Sequence, residues 1–140
     1  MTARTGWQVA RMLGVGAALA GALAASAPAA QSTRSVNDGV YTTAQADRGA
    51  KLFDKTCTAC HDTARFTGTE FTAAWTGRPL QGVFDAVNTM PEDNPGSLQP
   101  QEYGDIVAFF LQLNQYPAGD SELKGGAEAM RAISMDARKQ

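Results

Sequence analysis

The sequence predicts an all-α protein. Three observations carry this reading. Apolar residues recur at helical spacing in three separate stretches, a helix-start signal stands ahead of each, and no run has the alternation of a half-buried strand. In chain order, the first segment is not part of the fold. Residues 1 to 30 hold Arg4 and Arg11 and no acid, then an apolar run from Met12 to about Ala25, then small residues through Ala27-Pro28-Ala29-Ala30. This is the layout of a secretory signal peptide, residues 1–29, with cleavage expected near Ala29. The alternative is an uncleaved anchor, but the run is shorter than the ~20 apolar residues a spanning helix needs. No stable membrane insertion is expected after cleavage.

Residues 30–40 are polar and read as a flexible lead-in to a domain over 41–119. Thr42 and Gln45 have the form of a capping box. Ala46, Gly49, Ala50, Phe53 and Cys57 then share one helix face, which ends near Thr56. Asp62 to Thr76 mixes Thr, Gly and the aromatics Phe66, Phe71 and Trp75 without a period. It predicts mostly loop with one short helix. Pro79 suits a first helical turn, followed by the stripe Leu80, Val83, Phe84, Val87. Thr89 to Leu98 contains Met90-Pro91 and Asn94-Pro95-Gly96 and reads as a loop. Pro100 starts the longest helix. Gln99 is a mediocre N-cap there, and Glu102 lies near the helix's positive end. Its stripe is Tyr103, Ile106, Val107 and Phe110, widened by Phe109 and Leu113, and it ends near Asn114. Residues 120–140 are expected to be a polar C-terminal tail.

Composition narrows the function. A chain of 140 residues suits one domain, and the net charge of −2 leaves no basic footprint for nucleic acid. Beyond residue 30 there are ten basic against fourteen acidic residues, so the exported chain would carry about −4. A single histidine excludes multi-histidine metal sites, and two cysteines exclude four-cysteine zinc and iron–sulfur sites within one chain.

Those three residues form one motif: Cys57-Thr58-Ala59-Cys60-His61. C-x-x-C-H is the attachment sequence of c-type haem. Two thiols at this spacing on a helix end reach both vinyl groups of one haem edge, and the neighbouring imidazole of His61 falls to the iron as proximal ligand. A covalent cofactor also supplies an apolar centre that some 110 residues would otherwise have to build. A Cys57–Cys60 disulfide is chemically possible in an exported protein. A thioredoxin-like redox pair needs a βαβ context that is missing here. For the sixth ligand a second histidine does not exist. Met90 sits in an irregular loop ahead of Pro91, whereas Met130 and Met135 stand in the expected tail. A lone methionine is ordinarily core filler, but the loop context makes Met90 the expected distal ligand, with a soft sulfur that raises the potential. Trp75, Arg78 and Tyr103 have two readings each: a functional one, which for Trp75 and Arg78 is the haem periphery, or plain core for Trp75 and Tyr103 and solvated surface for Arg78.

Gly49 and Phe53 ahead of this motif, Thr89-Met90-Pro91, and the helix Asp105-Ile106-Val107-Ala108-Phe109-Phe110-Leu111 together resemble a class I monohaem cytochrome c over roughly residues 41 to 119. The run from Thr89 to Gly119 is more specifically similar to small periplasmic cytochromes c that accompany bacterial dehydrogenases. The resemblance implies three to five helices wrapped around one covalently bound haem c. It also implies a crossing of the first and last helices at Gly49, with Phe53 against Phe109. This chain departs from the pattern in having Asp62 where glycine is frequent, Gln99 as the cap, and only 29 residues from His61 to Met90. The expected protein is an exported or periplasmic electron carrier, not an enzyme. It would pass electrons from a dehydrogenase donor to an oxidase or another cytochrome as acceptor. The alternative is a tightly bound cytochrome c subunit of an oxidoreductase complex.

The motif makes the first prediction. Acid–acetone extraction of the denatured protein will leave one haem in its intact mass, and Cys57→Ala or Cys60→Ala will sharply reduce mature holoprotein. A wild-type mass equal to the bare polypeptide would contradict covalent attachment.

Overall fold

Thr42 opens the first helix, α1 (Thr43–Thr56), in the computed structural model, which describes residues 34–139. Its side chain accepts the Gln45 N–H at 3.1 Å, as the capping box requires. The other half of the box does not form. The Gln45 side chain turns into the interior, donates to the Asp105 carboxylate at 3.0 Å and the Leu123 carbonyl at 2.8 Å, and accepts the Leu123 N–H at 2.7 Å. A buried amide with all these partners is satisfied where it lies, and the cap is left to threonine alone.

Next come a single 3-10 turn at Thr63–Phe66 and α2 (Gly68–Trp75), so the stretch expected to be mostly loop is more regular than its sequence suggests. Helix α3 (Gln81–Asn88) buries Val83 and Phe84. Leu80 is its N-cap: the Leu80 carbonyl accepts the Phe84 N–H at 3.2 Å, while its own N–H, which has no partner within the helix, donates to the Ile133 carbonyl at 2.8 Å. Helix α4 (Pro100–Leu113) is the best buried element. Glu102 makes its cap, accepting the Gln99 N–H at 2.8 Å.

The terminal regions depart from expectation. Within 34–40 and 120–139 the chain is part of the packed body. Strand β1 (Arg34–Ser35) pairs in parallel with β2 (Ile133–Ser134), and the short helix α5 (Ala127–Arg131) lies against α3. Val36, Met130 and Met135 are wholly buried, as nearly are Val40 and Leu123. Tyr41 donates its O–H to the Tyr116 carbonyl at 2.7 Å and accepts the Gly119 N–H at 2.7 Å. These apolar residues follow no helical period, so neither segment announces itself as core. The expected signal peptide lies outside the described residues. Among the described residues helix dominates and strand is confined to one two-residue pair, so the class is all-α as the sequence predicts.

The centre of the fold is the α1–α4 crossing. A Cβ on Gly49 would overlap the backbone carbonyl of Asp105, so only glycine permits this approach. Beside it, Phe53 meets Phe109 at 5.7 Å and Phe110 at 5.6 Å between ring centroids. Behind it, Arg48 donates to Asp105 at 3.0 and 3.2 Å and to Glu122 at 2.8 Å. These hydrogen bonds, that to Glu122 foremost, push the guanidinium further up from its ordinary value. Gly49→Val will therefore force the two backbones apart and lower the stability of the oxidised holoprotein by about 3 kcal/mol, the upper part of the overpacking range. Thermal or denaturant unfolding measures this, and an unchanged midpoint would contradict the crossing.

Candidate functional site

The cysteines stand where α1 runs out. Cys57 closes the helix with its N–H on Phe53 at 2.8 Å, and the chain makes one more tight turn, Cys60 and His61 both donating to the Cys57 carbonyl at 3.1 and 2.9 Å. Asp62 then caps the 3-10 turn, its side chain accepting the Ala64 N–H at 2.8 Å. That cap accounts for an aspartate where glycine is frequent. The motif is thus held between the end of one helix and the start of the next turn.

It faces a cleft formed by two adjoining cavities of about 550 and 620 Å³, within the size range of cofactor sites. Cys57, His61, Val87, Met90 and Ile106 border both cavities. The inner one is walled by Phe53, Phe66, Phe71, Trp75, Val83 and Phe110, and the outer one by Cys60, Pro91, Leu98 and Tyr103, with Glu92 and Asp93 at its rim. All four residues picked from the sequence therefore border one apolar cleft. Cys57, Cys60 and His61 come from the α1 end, and Met90 from the loop after α3. Met130 and Met135 border neither cavity.

The aromatic wall packs against His61. Phe66 stacks on Phe110 at 4.5 Å and meets the His61 ring edge-on at 5.5 Å. Asn114, buried at the end of α4, holds that segment in place. Its amide donates to the Phe66 and Phe110 carbonyls, both at 2.8 Å, and accepts the Gly68 N–H at 3.0 Å. Trp75 lies in the wall with the exposed Arg78 guanidinium 5.9 Å from its ring centroid, within cation–π range. Arg78 itself does not border the cleft, whereas Arg65 does. Nothing in the spacing of the sequence marks Arg65 or Asn114. Tyr103, which has two readings from the sequence, is buried, and its O–H donates to the Met90 carbonyl at 2.7 Å.

The donor set decides what this cleft suits. Both thiols are free, and burial pushes the Cys57 thiol up, away from the thiolate that a disulfide-exchange centre needs. One imidazole and one thioether on apolar walls, with two thiols at the mouth, fit haem c: Cys57 and Cys60 for the thioether bonds, and the aromatic and aliphatic walls for the macrocycle.

A family model described as "Cytochrome C oxidase, cbb3-type, subunit III" matches residues 44–110. Every residue that borders the cleft falls inside that span. No curated protein and no solved structure matches the chain.

Asn114 generates a prediction. Asn114→Ala leaves the Phe66 carbonyl and the Gly68 N–H without their partner and will cost about 1–3 kcal/mol of holoprotein stability. Denaturant unfolding followed by haem absorbance reports it, and a loss below about 0.5 kcal/mol would contradict this role.

Proposed function

We propose that this chain, a monohaem c-type cytochrome with covalently bound haem c, is an exported electron carrier whose iron is held between His61 and Met90. The observation that carries the reading is that these two residues, the imidazole and, among the described residues, the sole thioether on the cleft, border the same pair of apolar cavities as Cys57. When bound, the haem supplies one-electron chemistry between Fe(II) and Fe(III).

The chain's own residues decide how that chemistry is used. Cys57 and Cys60 anchor the cofactor edge at the exposed end of α1. His61, half-buried against Phe66, would donate its imidazole nitrogen. Met90 would donate a soft sulfur, which favours the reduced state and raises the potential. With His61 and Met90 both holding the iron, no coordination site would be left for a substrate, which supports a carrier rather than an enzyme. Phe53, Phe71, Trp75 and Phe110 would give the macrocycle an apolar wall, with the exposed Arg65 and Glu70 at its edge, and the burial such a wall provides is one of the factors that set the potential. Cys60 and its neighbour Ala59 are exposed at the mouth, with Glu92 and Asp93 across it. A redox partner approaching this edge meets negative charge, so a basic patch on the partner is expected.

Export is supported by the signal-peptide layout of residues 1–29, and a dehydrogenase donor by the look of the segment from Thr89 to Gly119. Among the described residues no helix is long and apolar enough to cross a membrane. A second reading, a tightly held cytochrome subunit of an oxidoreductase complex, draws support from the family match, whose description names an oxidase subunit. Co-purification separates the two: a carrier leaves a partner column at moderate salt, and a subunit stays with its complex.

Two outcomes are expected. Met90→Ala will keep its haem, lower the potential and open a coordination site that binds CO in the reduced state. A variant that keeps its potential and resists CO would exclude Met90 as ligand. In stopped-flow mixing with the partner at subsaturating concentration, electron transfer will slow as salt rises, because a Debye length of ~10 Å at 0.1 M screens the attraction. A flat response would remove the electrostatic docking.

A further inference from the structure

The segment from Thr89 to Gln99 carries Met90 but lies outside every helix, and Glu92 to Ser97 are all exposed. Its backbone bonds are local. Met90 donates to Val87 at 3.0 Å, Asn94 to Pro91 at 3.0 Å and Gly96 to Asn88 at 3.1 Å. One side chain ties both ends of this loop to the body. Tyr103, 1% exposed near the start of α4, donates its O–H to the Met90 carbonyl at 2.7 Å, and the same oxygen accepts the Leu98 N–H at 3.3 Å. The ring that carries this phenol is fixed in turn. Phe84 of α3 meets it edge-on at 6.1 Å between centroids, and it lines the outer cavity.

We propose that Tyr103 is a positioning residue for the distal ligand, clasping the loop at Met90 and at Leu98 so that the thioether is kept at the iron. The proposal rests on the reading of Met90 as axial ligand. For Met90 to leave the cleft its backbone must move, and apart from the last residues of α3, which accept from Met90 and Gly96, and Glu102 at Gln99, the Tyr103 hydroxyl is what holds the loop to the body. The Met90 carbonyl bond and the Leu98 bond to one buried oxygen oppose that motion. Without the phenol, the bound arrangement loses the net worth of one or two neutral hydrogen bonds, while the ring keeps filling its place in the core.

Imidazole titration of the ferric holoprotein tests this, since imidazole competes with methionine for iron. Tyr103→Phe is expected to retain wild-type helicity and bind imidazole roughly two- to tenfold more tightly. In a Met90→Ala background, where there is no thioether to hold, the same change should shift imidazole affinity by less than about twofold. If Met90→Ala tightens imidazole binding but Tyr103→Phe does not, the clasp is refuted while the ligand reading stands. Equal tightening in both backgrounds also refutes it, because Tyr103 would then act on the cleft in general. If Met90→Ala itself leaves imidazole affinity unchanged, the ligand reading fails and the clasp with it. Should Tyr103→Phe yield no holoprotein, amide exchange in the wild type decides. A Leu98 amide slower than that of exposed Ser97 supports the clasp, and one as fast as Ser97 overturns it.

Discussion

The contact between the backbones of α1 and α4 at Gly49 sets the geometry on which the rest of the molecule depends. With no Cβ at Gly49, the Asp105 carbonyl can lie directly against α1. Everything on either side of that point is then placed by helix geometry, at 1.5 Å of rise per residue. One turn further along α1, Phe53 enters the aromatic cluster with Phe109 and Phe110. A further turn brings the chain to Cys57, and the motif is delivered to the side of α4 where Ile106 and Phe110 line the cleft.

The far side of the crossing carries a different cost. Asp105 is only 7% exposed, and a carboxylate in such a place has to be paired and hydrogen-bonded. Gln45, Arg48 and Gln101 all donate to it. Because the Arg48 side chain is about half exposed, its ion pairs are screened and add little by themselves. Their structural consequence is larger. The same cluster takes in the backbone of Leu123 and the side chain of Glu122, so the segment beyond α4 is fastened to the crossing.

That fastening explains how the chain ends support a site whose walls they do not form. Residues 34–43 and 111–139 lie outside both the family match and the cleft walls. They bury Val36, Val40, Met130 and Met135 and grip the approach to α3 through the Ile133 and Met135 carbonyls, which accept from Leu80 and Gly77. Helix α3 supplies Val83 and Val87 to the cleft and leads into the loop of Met90. The loop of Met90 is therefore held through α3 on one side and through Tyr103 of α4 on the other.

Local chemistry was legible in the sequence wherever it depends on near neighbours. The Cys57–His61 motif, the faces of α1, α3 and α4, the Thr42 cap and the loop around Met90 all follow from spacings of a few residues, and periodicity and turn residues report such spacings directly. That His61 and Met90 border one cleft could be expected because the histidine is single and because Met90, unlike Met130 and Met135, stands in an irregular loop. Tertiary structure alone decided the rest. Gln45 reads as half of a local cap, yet it is spent on Leu123, 78 positions away. Residues 120–139 read as polar because Leu123, Met130, Ile133 and Met135 follow no period, and they become core only once β1 and α3 stand beside them. Tyr103 reads as one more apolar position in a stripe, and its hydroxyl acquires a task only where the fold brings the Met90 carbonyl to 2.7 Å. The physical reason is the same in each case. A pattern along the chain records which face of an element is buried, whereas a hydrogen bond between distant segments depends on how those faces meet, and no local spacing encodes that.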